Sequence, residues 1–194
     1  VGGTNSKVDI NGAVTLATGT ILIDSTTSDG AVTITGTVTG TRDLDILSGT
    51  ALTTITGNIG GGGTPLASLD INAADTAGDD GGVTLGGDIG VGAVSGTTPG
   101  AGIVNLGNTN TTGTITLSGS AYNTSGALTL KGGAYSISNA SDVTIVTSSD
   151  AVTFGESGMT SDLTIGETKL TIDTDTLNGG GANITFFGDI LATA

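Results

Sequence analysis

Almost every side chain in this sequence that could do chemistry is a carboxylate. There are 16 Asp and two Glu against four basic residues, Lys7, Arg42, Lys131 and Lys169, with no His and no Cys. Without imidazole or thiol, the Ser–His, Cys–His and His–metal arrangements of hydrolases and zinc enzymes cannot be assembled. Glycoside hydrolysis needs only two carboxylates across a cleft. The aromatic surfaces on which sugars stack are scarce, however, at 3% of residues with no Trp. Lyases acting on acidic sugars add clustered basic residues, and the four here are scattered singly. The expectation is a protein that is not an enzyme. A net charge of −14 also excludes nucleic acid as a partner, because a polyanion is held by grouped Lys and Arg.

Three other chemistries are worth placing. Asp75, Asp79, Asp80 and Asp88 crowd a Gly-rich stretch, and calcium takes six to eight oxygen ligands from such loops. Neither the EF-hand spacing nor the Gly-Gly-x-Gly-x-Asp nonapeptide is present. A solvated acidic turn therefore explains these four as simply as a calcium site does. Asp9, Asp45 and Asp70 each sit between two apolar residues and could stack into an acidic ladder, although their unequal spacing argues against strict alignment. Thr33, Thr35, Thr37, Thr39 and Thr41 alternate along one stretch, as in the flat Thr arrays of ice-binding solenoids. That function needs the array repeated from coil to coil on one flat face, whereas this run is local, so a soluble strand surface is the plainer account. Asn110, Asn123, Asn139 and Asn183 lie in Asn-x-Ser/Thr sequons, candidate glycosylation acceptors that arise by chance in a Thr-rich chain.

The elements that must carry these residues are short strands. Gly (36) and Thr (38) dominate and Pro occurs twice. Gly supplies turns, and β-branched Thr suits a half-exposed pleated surface. No segment has the composition to hold a helix, and no 18-residue apolar run could cross a membrane as one. The mean hydropathy of +0.27 and the regular apolar alternation argue against a disordered chain. The recurring unit is a triplet of apolar, polar, apolar residues followed by a Gly or small polar turn. Ten copies place Thr in the middle, from Val14-Thr15-Leu16 to Ile184-Thr185-Phe186. Three place Asp there: Val8-Asp9-Ile10, Leu44-Asp45-Ile46 and Leu69-Asp70-Ile71. Period-2 alternation of this kind marks a half-buried strand, with the flanking residues inward and the centre outward.

Spacing sets the architecture. Ser141-Asp142-Val143-Thr144-Ile145 returns as Ser161-Asp162-Leu163-Thr164-Ile165, and Ala182-Asn183-Ile184-Thr185-Phe186 follows. A repeat of about 20 residues holding two or three short strands predicts an all-β, right-handed parallel β-solenoid. Roughly ten coils would make a rod about 45–50 Å long. Residues 75–82 and 92–102 read as loops inserted at coil corners, and residues 1–194 as one domain.

Gly/Thr-rich repeats with this beat, acidic and free of Cys, resemble the β-helical passenger and shaft regions of large bacterial surface proteins, such as filamentous-haemagglutinin-type adhesins and autotransporter passengers. The resemblance implies an extracellular, cell-surface rod with an adhesive role. Its partners would be copies of itself or flanking repeats that add to the open sheet ends, with a surface glycan or protein as ligand. The chain starts at Val1 without Met and stops in mid-pattern. The expectation is a segment of a longer chain or a stacking filament subunit. The rival architecture is a β-sandwich that polymerises by donating residues 183–194 to a neighbour as an edge strand. Only Asn11-Gly12 offers the two-residue hairpin turn that a sandwich would favour.

Overall fold

The computed structural model describes residues 7–74, 78, 80–90, 99–166, 168–175 and 180–193. All thirteen triplets lie in strands. The first coil holds β1 (Val8–Ile10), β2 (Val14–Leu16) and β3 (Ile21–Asp24), and the second β4 (Val32–Ile34), β5 (Val38–Gly40) and β6 (Asp43–Leu47). The third has β7 (Thr53–Ile55) and β8 (Leu66–Ile71), the fourth β9 (Val83–Leu85) and β10 (Ala101–Leu106). Then come β11 (Thr114–Leu117), β12 (Ala121–Thr124) and β13 (Leu128–Leu130) in the fifth coil, and β14 (Ala134–Ile137), β15 (Val143–Thr147) and β16 (Val152–Phe154) in the sixth. The seventh holds β17 (Leu163–Ile165), β18 (Leu170–Asp173) and β19 (Ile184–Phe186), and β20 (Ile190–Ala192) opens an eighth.

Strands at the same position in successive coils stack on one another, which gives three faces. Face 1 is the eight-stranded sheet β1-β4-β7-β9-β11-β14-β17-β20. Face 2 runs β2-β5, continues through single bridges at Ile59 and Ile89 to Tyr122, and ends β12-β15-β18. Face 3 is β3-β6-β8-β10-β13-β16-β19. All pairings among the described residues are parallel, so the chain is a parallel β-solenoid. The sandwich alternative is overturned, because its hairpins would pair antiparallel. The strands proposed for donation lie inside this same stack, Ile184 against Val152 and Ile190 against Leu163.

The coil is longer and less regular than the spacing suggested. On face 1, Val8 lies over Val32, then Thr53, Val83, Ile115, Tyr135, Leu163 and Ile190. Successive coils therefore take 24, 21, 30, 32, 20, 28 and 27 residues. Seven coils span about 34 Å at the usual strand separation. The reason for the misreading is that the 20-residue repeat compared strands from different faces: Val143 belongs to face 2, Leu163 to face 1 and Ile184 to face 3. Residues 75–82 and 92–102 do fall in the two longest coils. Half of the first segment and most of the second lie outside the described residues, and Ala101 already begins β10.

Inward residues form aliphatic columns. Val32, Ile34, Ile46, Leu69, Val83, Leu85 and Val104 are fully buried, and each such side chain contributes about 1.5–3 kcal/mol by leaving water. Aromatic rings enter only in the later coils. Phe154 stacks on Phe186 at 4.9 Å and meets Tyr135 edge-on at 5.6 Å. Tyr122 is buried, and its hydroxyl accepts from the Gly119 N–H (2.7 Å) and donates to the Leu85 carbonyl (3.0 Å). That burial pushes its phenol well above the ordinary value.

The corner between faces 1 and 2 is a column of glycine: Gly12, Gly36, Gly57, Gly87 and Gly119. A Cβ at any of the last four would come closer than 3.0 Å to the carbonyl of the glycine one coil below, whereas at Gly12, in the first coil, it would meet nothing. The contact is with backbone, so only movement of a coil could relieve it. Gly57→Ala is expected to destabilise the rod by about 3 kcal/mol and lower the melting temperature by about 6–12 °C. Gly12→Ala should stay within about 0.5 kcal/mol of the parent. Thermal unfolding by circular dichroism decides it, and equal losses at the two positions would remove the stacking argument.

Candidate functional site

Each corner and face brings together residues that are far apart in the chain, so the acidic residues are best followed by position on the stack. Of the four expected around calcium, Asp75 and Asp79 lie outside the described residues. Asp80 and Asp88 flank β9 at its opposite ends rather than facing one another. The Asp80 carbonyl accepts the Thr112 and Gly113 N–H groups of the next coil. The Asp88 carboxylate is already engaged: Oδ1 accepts from the backbone N–H of Ser120 (2.6 Å) and of Ala121 (3.0 Å), and both oxygens take the Ser120 hydroxyl. It therefore clamps the start of β12 onto the coil below. Among the described residues no three acidic side chains converge as a metal site would need.

The Asp-centred triplets divide differently from the expectation. Asp9 is on face 1, stacked on Thr33, with Lys7 paired to it at 2.6 Å. Asp45 and Asp70, despite the uneven spacing, are direct neighbours in register on face 3. Asn105 follows in the same column and donates its Nδ2 to Asp70 at 2.7 Å. Asp43, beside Asp45 on the same strand, accepts hydroxyl bonds from Thr20 (3.2 Å) and Ser68 (3.0 Å). Among the described residues no hydroxyl donates to Asp45 in this way. Partial burial first, then the charges of Asp70 and Asp43, hold its carboxyl above the usual range. Leu22, Leu47, Ala73 and Ala74 complete a shallow groove of about 420 Å³ around this acid pair. No basic side chain lines it to offset the repulsion between the two carboxylates.

The basic residues remain scattered. Lys131 pairs with Glu156 at 2.9 Å, and Arg42 Nε reaches the Ala17 carbonyl at 3.4 Å. Of the four sequons, Asn110 and Asn183 are exposed and Asn139 is half-buried. The Asn139 side-chain oxygen accepts the Ser141 N–H in a local turn. Asn123 is only 2% exposed within β12, so the folded stack leaves no room for a glycan there.

The Thr run also divides. Thr33 belongs to β4 on face 1, and Thr39 to β5 on face 2. What the run does not reveal is that Thr33 heads a hydroxyl column that continues through the next five coils, as Thr54, Thr84, Thr116, Ser136 and Thr164, before Leu191 ends it. Two residues on, Thr35, Thr56, Ser118, Ser138 and Thr193 continue their strands and donate their N–H to the coil below, with Gly86 and Gly166 in the same series. The array that seemed local is thus repeated from coil to coil on one face. Also missed was a buried polar ladder at the corner from face 3 to face 1. Asn72, in a left-handed conformation (φ 49°), accepts the Ser48 N–H at 2.8 Å, and Asn108 donates to the Asn72 carbonyl at 2.8 Å. The available signal was a polar residue one or two places after each face-3 apolar run.

Replacing Asp45 by Asn removes one of three neighbouring negative charges. It also supplies an amide that can donate to Asp70 from below, as Asn105 does from above. The raised folded-state value means that ionised Asp45 weakens the fold as pH rises through it. The Asp45→Asn gain should therefore be present at neutral pH and shrink as the pH falls through that raised value, where the parent side chain itself becomes protonated. The expected rise in melting temperature at pH 7 is about 1–3 °C, and a fall would show that the pair is bridged by something stabilising. Set against known protein families, curated proteins and solved structures, the chain matches none.

Proposed function

We propose that this chain is a non-catalytic structural rod of a cell surface or extracellular filament, acting by length, stiffness and presentation rather than by chemistry. The observation that carries this reading is the unbroken parallel register of face 1 over eight strands. Bending such a stack would break backbone bonds between coils in series, so it behaves as a stiff element. The missing His and Cys remove most nucleophilic and metal-assisted reactions, which supports the non-catalytic part. The acidic, Gly/Thr-rich, Cys-free composition supports the extracellular part. No helix among the described residues is long and apolar enough to cross a membrane.

The last rung supports addition of further coils, from a second copy or a flanking repeat. Ile184, Ile190 and Leu191 are 43%, 53% and 45% exposed there, on strands with one unpaired edge. A flat apolar edge templates association. Electron microscopy of the purified chain across a concentration series tests the proposal. Thin rods are expected, with an axial repeat near 4.8 Å and lengths growing in steps of about 34 Å. Ile190→Lys should hold the population at one unit. Compact particles without the axial repeat would overturn the rod, and unit-length rods at every concentration would overturn self-stacking.

A further inference from the structure

We infer that face 1 is an ice-binding surface. This goes beyond the role as a rod and does not depend on stacking of its ends. Two features of the Thr33-to-Thr164 column and its neighbour from Thr35 to Ser138 carry the inference.

The first is a two-dimensional lattice. Hydroxyl-bearing residues repeat about 4.8 Å apart along the first column, and the second column, about 6.7 Å across from it because two extended residues separate them, repeats likewise except at Gly86. An ordered lattice of water is matched only by a surface that is regular in both directions, and an in-register sheet supplies that. Thr is β-branched and stiff at χ1. Stacked Thr side chains therefore lose little freedom when their methyl and hydroxyl groups are held in place.

The second is charge. Although the chain carries a net −14, the outward positions of face 1 hold no charged residue from Ala31 in β4's coil to Ser138 after β14. Ionised groups hold their own hydration shells and would disrupt an ice-like layer. The other faces serve as internal controls. Face 3 presents Leu22, Asp45, Asp70 and Asn105 before any Thr appears, and the corresponding part of face 2 is buried at Asn123 and Val146. The competing occupant, a crystalline polysaccharide, normally rests on exposed aromatic rings. Face 1 has none, since Tyr135 is turned inward and only 2% exposed.

The test is partition of the full chain, fluorescently labelled, between a slowly grown ice front and the remaining liquid. Three substitutions accompany it: Thr116→Lys and Thr35→Lys on face 1, and Thr129→Lys on face 3. Thermal unfolding confirms that each variant holds the fold. The parent is expected to enter the ice and to shape its crystals. Thr116→Lys and Thr35→Lys should lose most of that enrichment, and Thr129→Lys should keep it. A parent that stays in the liquid overturns the inference, as does equal loss in the face-3 variant. Retention on crystalline chitin or cellulose without entry into ice would assign the face to a polysaccharide instead, and would overturn it as well.

Discussion

The backbone bond between one coil and the next is the interaction on which everything else in this molecule depends. A parallel pair can form only if the chain travels around the whole circuit before returning. Each contact therefore closes a loop of 20 to 35 residues, and the entropy of that closure must be recovered by what stacks inside. The aliphatic columns recover it. In return the stack sets a strict condition at the corners, where the chain turns within bonding distance of the coil below. The glycine series from Gly36 to Gly119 meets that condition by close approach rather than by unusual φ. The Asn72 and Asn108 ladder meets it by replacing lost backbone partners with side-chain amides. Left unpaired, such groups would each cost about 1–3 kcal/mol.

How much of this was legible depends on what each strand shows on its own. Where the centre residue is outward and polar, as in Val32-Thr33-Ile34, alternation alone reveals the strand. The seven strands without that beat stayed hidden for particular reasons. β3 exposes Leu22 (57%), so its outward position reads as apolar. β7 begins with the buried Thr53, whose hydroxyl is satisfied internally by Ser48 at 3.0 Å. β12 is buried on both sides, so Ala121, Tyr122, Asn123 and Thr124 alternate in nothing. The class of fold survived these losses because thirteen strands were enough. The coil length did not survive, because one triplet serves all three faces and carries no label for which face it builds.

The same missing label hid the surface chemistry. Asp45 and Asp70 are 25 positions apart and Thr54 and Thr84 are 30 apart, and nothing in their local sequence says that either pair touches. Register across uneven coils is a property of the whole stack, fixed by corner insertions that accommodate themselves on the outside. The acidic stretch around Asp88 shows the reverse case, where local crowding points to a shared site. Asp88 instead spends its carboxylate on Ser120 and Ala121, one coil away.

Once register is fixed, charge follows a division of labour among the faces. Face 3 takes the Asp43–Asp45–Asp70 group in the early coils, and face 1 keeps its outward columns neutral from β4 to β14. A neutral, in-register parallel sheet face would ordinarily invite lateral association between rods. Two features oppose it here. Its surface is hydroxyl and methyl rather than large aliphatic, with Leu52 the exception at 46% exposure. The net −14 of the whole chain also makes two rods repel before the faces meet, at separations up to about 10 Å in ordinary salt. The acidic face thus protects the neutral one without touching it. On the proposed reading, a lattice-like surface without charge can still meet face 1, while a second copy of the rod is repelled from the side and left the ends.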